Sequence, residues 1–155
     1  MHLTARSATR GLTLIELVVV LAGLALLATL ALPSWEEYLR RGRRSDAVAA
    51  LAQLQQAQER WRAQHPAYAA SLGAEDLALP SLSAAGFYDL GTAVTPDDAT
   101  TAYRVSAVAR GVQAADTTCR WLAIEVQAGT LRHRSGPDAR LDNDARLNRH
   151  CWGTP

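Results

Sequence analysis

The feature that most constrains this chain is an uninterrupted apolar run near its N-terminus, LTLIELVVVLAGLALLATLAL, from Leu12 to Leu32. Glu16 is the only charged residue in this run. As an α-helix the run would be about 31 Å long, which matches the thickness of the hydrocarbon core of a bilayer. The sequence therefore predicts a transmembrane helix over residues 12–32, with a polar domain in the rest of the chain.

The segment that precedes the run, residues 1–11, is short and basic, with Arg6 and Arg10 and no acidic residue. A secretory signal peptide starts in the same way, but its apolar region spans only about 7 to 15 residues before a small-residue cleavage site. Alanines within the run could form such a site, so ordinary signal cleavage stays an alternative. The length of the run favours a helix that the mature protein keeps.

Glu16 needs an explanation, because a carboxylate inside an apolar span costs roughly 2.5 to 3.5 kcal/mol on insertion scales. Thr13 and Glu16 have the spacing of a capping box, which would place the carboxylate in the first helical turn, within reach of water. Alternatively, cleavage after Gly11 would create an ammonium group on Leu12, and Glu16 could neutralise that charge or the same charge on a neighbouring copy. The residues alone leave both explanations open.

The stretch Gly11-Leu-Thr-Leu-Ile-Glu16, placed between a basic leader and an apolar run, resembles the processing site of type IV pilins and related pseudopilins. The resemblance implies that a prepilin peptidase cuts between Gly11 and Leu12 and methylates Leu12, where Phe or Met is the usual first residue. It also implies that Glu16 pairs with the N-terminus of a neighbouring subunit during assembly. Pro33 stands where pilins have a proline, which bends or loosens the helix.

Three later stretches are most similar to PilE-like minor pilins. They are RRGRRSDA after Pro33, QERW followed by HPAYAASL around His65, and Cys151-Trp152 near the C-terminus. With them, the resemblance extends from the leader into the polar domain.

The pattern of residues 33–65 predicts an amphipathic second half of the helix, because the apolar residues recur at three- and four-residue spacing. His65-Pro66 is expected to end this helix. Residues 66–155 then predict a loop region and strands, because apolar and polar side chains alternate. Together these patterns predict an α+β fold in which one long N-terminal helix packs on a sheet of three or four antiparallel strands. The helical stripe is Val48, Leu51, Leu54, Gln58 and Trp61, and the strands are Gly86–Leu90, Tyr103–Ala109, Leu122–Val126 and Leu131–His133, with a turn at Ala128-Gly129.

The most basic stretch of the chain contains Arg40, Arg41, Arg43 and Arg44. Four arginines on consecutive turns could contact the phosphates of DNA. The cluster is flanked, however, by acidic residues that can form pairs along the helix, namely Glu36, Glu37 and Asp46. The sequence favours contacts with anionic headgroups before assembly and salt bridges between subunits after it.

Cys119 and Cys151 are the two cysteines of the chain, and their spacing fits no CxxC metal or redox motif. They could both be reduced, or they could form a bridge, which persists only on the oxidising side of a membrane. The basic residues after the apolar run outnumber those in the leader and argue for a cytoplasmic domain. The resemblance implies the opposite, a Cys119–Cys151 disulfide that bounds a C-terminal loop in a periplasmic domain, and we adopt this orientation.

No catalytic pattern is present, so we expect no enzyme activity and no cofactor. The histidines are scattered without metal-ligand spacing, and the sequence has no Gly-rich phosphate loop and no nucleophile elbow. Asp138, Asp142 and Asp144 are acidic neighbours, but they lack the spacing and the terminal Glu of an EF-hand, so we expect no metal site.

The sequence therefore predicts a structural subunit, a minor pilin of a type IV pilus that serves motility, adhesion or DNA uptake. The resemblance implies other pilin subunits, the prepilin peptidase, the inner-membrane platform and the lipid bilayer as partners. It implies a single-pass inner-membrane protein with a periplasmic domain that later joins an extracellular fibre. Three alternatives stay open, a type II secretion pseudopilin, a DNA-receptor pilin with an added basic surface, and a single-span periplasmic domain that does not assemble. The net charge of +1 argues against a protein that binds DNA through overall charge.

Overall fold

The computed structural model describes residues 13–153, except for the side chains of residues 30–34. Its elements are α1 (Leu14–Arg62), β1 (Tyr88–Ala93), β2 (Ala102–Ala109), a 3₁₀ helix (Gly111–Ala115), β3 (Trp121–Gln127), β4 (Thr130–Gly136) and α2 (Ala145–Trp152). The predicted α+β class is confirmed, and the sheet has four strands. The chain divides after Tyr38 into two compact units.

The described part of the first unit is the N-terminal stretch of α1. Thr13 caps its start, because the Thr13 hydroxyl accepts a hydrogen bond from the amide of Glu16 at 3.3 Å. Every side chain from residue 13 to residue 29 is exposed. In the part of the chain that the structure describes, no helix has an apolar stretch long enough to cross a membrane. The predicted span 12–32 includes Leu12 and the side chains of residues 30–32, which lie outside the description.

In the second unit, α1 presents one apolar stripe to the sheet. Ala47, Leu51 and Leu54 are almost fully buried and belong to the same core as the strands. Val48 and Trp61, which the pattern also placed on this stripe, are only half-buried at its edges. The helix ends at Arg62, slightly before the predicted stop at His65-Pro66.

Gln58 is buried on the same stripe without disturbing the core, because the backbone satisfies its amide. The Gln58 side chain donates to the carbonyl of Ala69 at 2.8 Å and accepts from the amide of Ala69 at 2.9 Å. It also donates to the hydroxyl of Thr92. These bonds fix the loop after the helix to β1.

The sheet is an antiparallel meander with the order β1-β2-β3-β4. Its inner face alternates as the sequence predicted, with Val105 opposite Ile124 and Ala107 opposite Leu122. These four side chains are buried in the common core. The first strand begins at Tyr88 rather than at Gly86, which adopts a positive φ of 74° in the turn before the strand.

The β3–β4 hairpin confirms the predicted turn. Ala128 and Gly129 are its two central residues, with φ values of 48° and 76°. Two positive φ angles in a two-residue loop define a type I′ turn, which follows the twist of the strands.

Candidate nucleic-acid interface

A bidentate ion pair lies in the interior of the second unit. Arg44 on α1 and Asp116, which follows the 3₁₀ helix, are 4% exposed each. Arg44 donates from Nε to Oδ2 of Asp116 at 2.6 Å and from Nη2 to Oδ1 at 2.9 Å. A buried guanidinium needs such a partner, because the desolvation of an unpaired charge is costly. The sequence predicted that Arg44, like its three neighbouring arginines, contacts headgroups or other subunits; for Arg44 this prediction is wrong, because it is buried against Asp116.

Gln113 and Tyr88 extend this pair into a buried network. Nε2 of Gln113 donates to Asp116 and to the hydroxyl of Tyr88, each at 3.1 Å. Burial raises the pKa of Tyr88 to about 12, so its phenol stays neutral and keeps its proton. The network therefore connects α1, β1 and the 3₁₀ helix.

The disulfide fixes α2 to the loop before β3. Cys119 and Cys151 are bonded with a Cα–Cα distance of 5.4 Å, as the resemblance implied. Asn148 donates to the carbonyl of His133 on β4, and Nε1 of Trp152 donates to the carbonyl of Arg134. The rings of Trp152 and His133 also lie 4.2 Å apart. This short helix is thus held by one covalent bond and by its own side chains, which bind backbone carbonyls of β4 and pack on the His133 ring.

The two ends of α2 are capped, which accounts for a stable helix of only eight residues. Asp144 accepts from the amide of Leu147 at its N-terminus, and Gly153 ends it in the left-handed conformation with φ of 64°. Arg146 and Arg149 are exposed, whereas Cys151 and Trp152 are buried. The helix therefore presents a basic side to solvent.

A groove of about 700 Å³ lies between α1 and α2, entirely within the second unit. Its basic lining residues come from both helices, and Nη1 of Arg44 lies 3.3 Å from Nε2 of His150. None of the residues that line it is acidic. The groove is lined by Arg41, Arg44, Ser45, Val48, Ala49, Ala52, Arg149, His150, Cys151, Trp152 and Gly153.

Residues 33–123, more than half of the chain, match the protein family described as type IV minor pilin ComP, DNA uptake sequence receptor. The chain belongs to this minor pilin family. Minor pilins are structural subunits of type IV pili, which agrees with the structural role that the sequence predicted. No curated protein matches the chain. The family match ends within β3, so β4 and α2 of this minor pilin lie beyond it.

The acidic residues before α2 of the minor pilin have partners within the chain. Arg140 contacts Asp138 at 2.9 Å and Asp142 at 3.7 Å. Hydrogen bonds from Arg140 lower the pKa of Asp138, and Asp144 is the cap of α2. In the described residues, no three His, Cys, Asp or Glu side chains are arranged to hold a metal ion.

The predicted processing and assembly residues lie in the first unit. Gly11 and Leu12 are outside the described residues. Pro33 lies within the bounds of α1, but its side chain is not described. Glu16 is exposed in the first turn, and among the described residues its carboxylate forms no hydrogen bond or ion pair. The roles of all four residues stay predictions.

Sequence reasoning missed Asp116 and Gln113 of the minor pilin. Both are buried and polar, and Asp116 lies 72 positions from its partner Arg44. Local spacing carries no signal for such a distant pair. The groove was missed for the same reason, because its basic residues come from the two ends of the polar domain.

Proposed function

We propose that this minor pilin is made as a membrane-anchored precursor with a periplasmic domain. In this proposal, a prepilin peptidase cleaves it between Gly11 and Leu12 and methylates Leu12. The inner-membrane platform then assembles it with other pilins into a type IV pilus. The observation that supports assembly is the apolar surface of residues 14–29, whose side chains are exposed. A helix surface that is apolar apart from Glu16 needs lipid or other helices around it.

Processing can be tested by mass spectrometry of the chain from the membrane fraction of cells that contain the peptidase. We expect the loss of residues 1–11 and the addition of one methyl group. The matched control is the same chain from cells without the peptidase, which should keep the leader. A leader that stays attached in both strains would support the single-span anchored domain instead.

Type II secretion pseudopili share the N-terminal features, so localisation must be tested separately. The match to a minor pilin family supports the pilus. Sheared pili, labelled with an antibody against the second unit, should contain the protein. Its presence only with the secretion apparatus would favour the pseudopilus.

Among the functions that pili serve, we propose DNA uptake, because the family is described as a DNA uptake sequence receptor. Exposed arginines on α2 support this role, since phosphate contacts supply much of the affinity for DNA. Adhesion and twitching motility are the other functions that the same fibre could serve.

DNA binding can be measured on a fragment from Glu36 onward, since the second unit contains its own core and disulfide. We expect it to bind duplex DNA with an affinity that falls steeply between 50 and 200 mM salt. Selection from a pool of random duplexes should enrich one sequence if the protein is a sequence receptor. No binding at low salt would contradict the role in DNA uptake but would leave the pilus subunit intact.

A further inference from the structure

We propose that the groove between α1 and α2 binds one sugar–phosphate strand of DNA, an inference that rests on the proposed role in DNA uptake. The family match names a receptor but assigns no residue to it, and α2 lies beyond the matched range. The assignment of the groove therefore depends on its own charge, lining and rigidity.

The charge of the groove is suited to a polyanion. Arg41 from α1 and Arg149 from α2 both line it, and its lining includes no carboxylate. The acidic residues nearest along the chain to α2 are already engaged, since Asp138 and Asp142 contact Arg140 and Asp144 caps the helix. Among the described residues, Arg149 has no carboxylate partner. A phosphate in the groove would not have to displace an internal ion pair of Arg149.

The rest of the lining suits the sugar rather than a bare ion. Val48, Ala49, Ala52 and Trp152 provide apolar surface between the basic residues. A small inorganic anion would leave this surface uncovered, whereas the C–H groups of deoxyribose can pack on it. The volume of about 700 Å³ also lies within the range of ligand pockets rather than that of single-ion sites.

The walls of the groove are held in place before any ligand binds. On the α1 side, Asp116 fixes the guanidinium of Arg44 with two hydrogen bonds. On the α2 side, the Cys119–Cys151 disulfide and the bond from Trp152 to β4 fix the helix that carries Arg149. Preorganised walls reduce the entropy that is lost on binding.

Contacts with the sugar–phosphate backbone position a protein on DNA and carry no direct sequence information. We therefore expect the groove to set affinity and orientation for every DNA sequence alike. A side chain that reads bases would show the opposite behaviour, a loss confined to one sequence. This difference separates the groove from any sequence-reading site elsewhere on the subunit.

The test uses the full mature chain in detergent micelles and fluorescence anisotropy with two labelled 20-bp duplexes of unrelated sequence. Arg149→Gln removes one phosphate contact, and Ala52→Glu places a carboxylate on the groove lining. Arg60→Gln is the matched control, because Arg60 is exposed on the same helix α1 but does not line the groove. Thermal unfolding checks that each variant keeps its fold.

We expect Arg149→Gln to weaken binding of both duplexes by about tenfold, as the loss of a charge-assisted contact implies. It should also reduce the slope of log affinity against log salt by about one. Ala52→Glu should weaken both duplexes at least as much, whereas Arg60→Gln should stay within about twofold of the unchanged chain.

Each contrary result overturns either the assignment of the groove alone or the DNA role together with it. If both groove variants keep full affinity for DNA, the assignment of the groove is wrong, but the role in DNA uptake is unaffected. An equal loss with Arg60→Gln would show a general charge effect and would also overturn the groove. If the unchanged chain binds neither duplex, the DNA role and the groove assignment both fail. The same variants can also be tested for binding to vesicles that contain phosphatidylglycerol. If the groove variants bind these vesicles less well but keep their affinity for DNA, the groove is a lipid site instead.

Discussion

From residue 13 to residue 29 every side chain is exposed although most of them are apolar, with Leu14 at 81% and Leu26 at 67% exposure. Beyond Tyr38 the same helix buries Ala47, Leu51 and Leu54 against four strands. The second region buries its apolar side chains within the chain, whereas in the proposed function lipid or neighbouring subunits cover those of the first. Changes in the first region should therefore affect assembly, and changes in the second should affect stability.

Glu16→Ala should have the largest effect and should affect assembly alone. The variant chain should still be inserted and processed, because the apolar run and Gly11 are unchanged. Its incorporation into pili should fall by about two orders of magnitude or more, as expected when one partner of a buried charge pair is removed. Quantitative immunoblots of sheared pili and of membranes measure this ratio.

Thr13→Ala is the matched control for Glu16→Ala. It removes the hydroxyl that accepts from the Glu16 amide but keeps the carboxylate. If both variants assemble equally poorly, Glu16 acts through helix capping and not through pairing with the N-terminus of a neighbour. Normal assembly of Glu16→Ala would contradict the pairing directly.

Asp116→Ala should have the largest effect on the stability of the second unit. It leaves the guanidinium of Arg44 buried without its partner, which costs about 3 to 5 kcal/mol. Urea unfolding followed by circular dichroism measures the change. The double variant Arg44→Met, Asp116→Leu removes both charges and should recover most of the loss. A single variant that unfolds like the unchanged chain would show that water reaches the guanidinium.

Removal of the disulfide by Cys119→Ser together with Cys151→Ser should cost roughly 3 to 4 kcal/mol in the chain-entropy model. The size of this loss in stability follows from the separation of 32 residues between the two cysteines. A melting temperature equal to that of the unchanged chain would show that α2 is held by its side-chain contacts alone.

The elements that the sequence predicted well are those with local signals. Alternation located β2, β3 and β4, and the Ala128-Gly129 pair located the hairpin turn. The sequence placed the start of the first strand two residues early. A turn precedes Tyr88, in which the hydroxyl of Ser83 accepts a hydrogen bond from the amide of Tyr88, and the alternation of apolar and polar side chains does not reveal this turn.

The candidate site was less predictable, since it depends on pairs that are distant in the sequence. Asp46 was expected to pair with the arginine cluster, but its carboxylate accepts from the amide of Ala85 at 3.1 Å. Asp116 neutralises Arg44 instead. The set of arginines that line the groove therefore depends on the fold rather than on local spacing.

The smallest predicted effect concerns one turn of the second unit and shows how local its stability can be. Ala128 adopts a φ of 48°, a left-handed conformation that is unfavourable for alanine. Asn tolerates this conformation, and Asn-Gly is a preferred pair for type I′ turns. Ala128→Asn should therefore stabilise the second unit by about 0.5 to 1 kcal/mol, measured by urea unfolding. Ala128→Val, a β-branched control, should destabilise it.

If Ala128→Asn stabilises the fold without changing incorporation into pili, changes in the second region affect stability and not assembly, even when stability is gained. A change in incorporation would show that assembly also depends on the second unit.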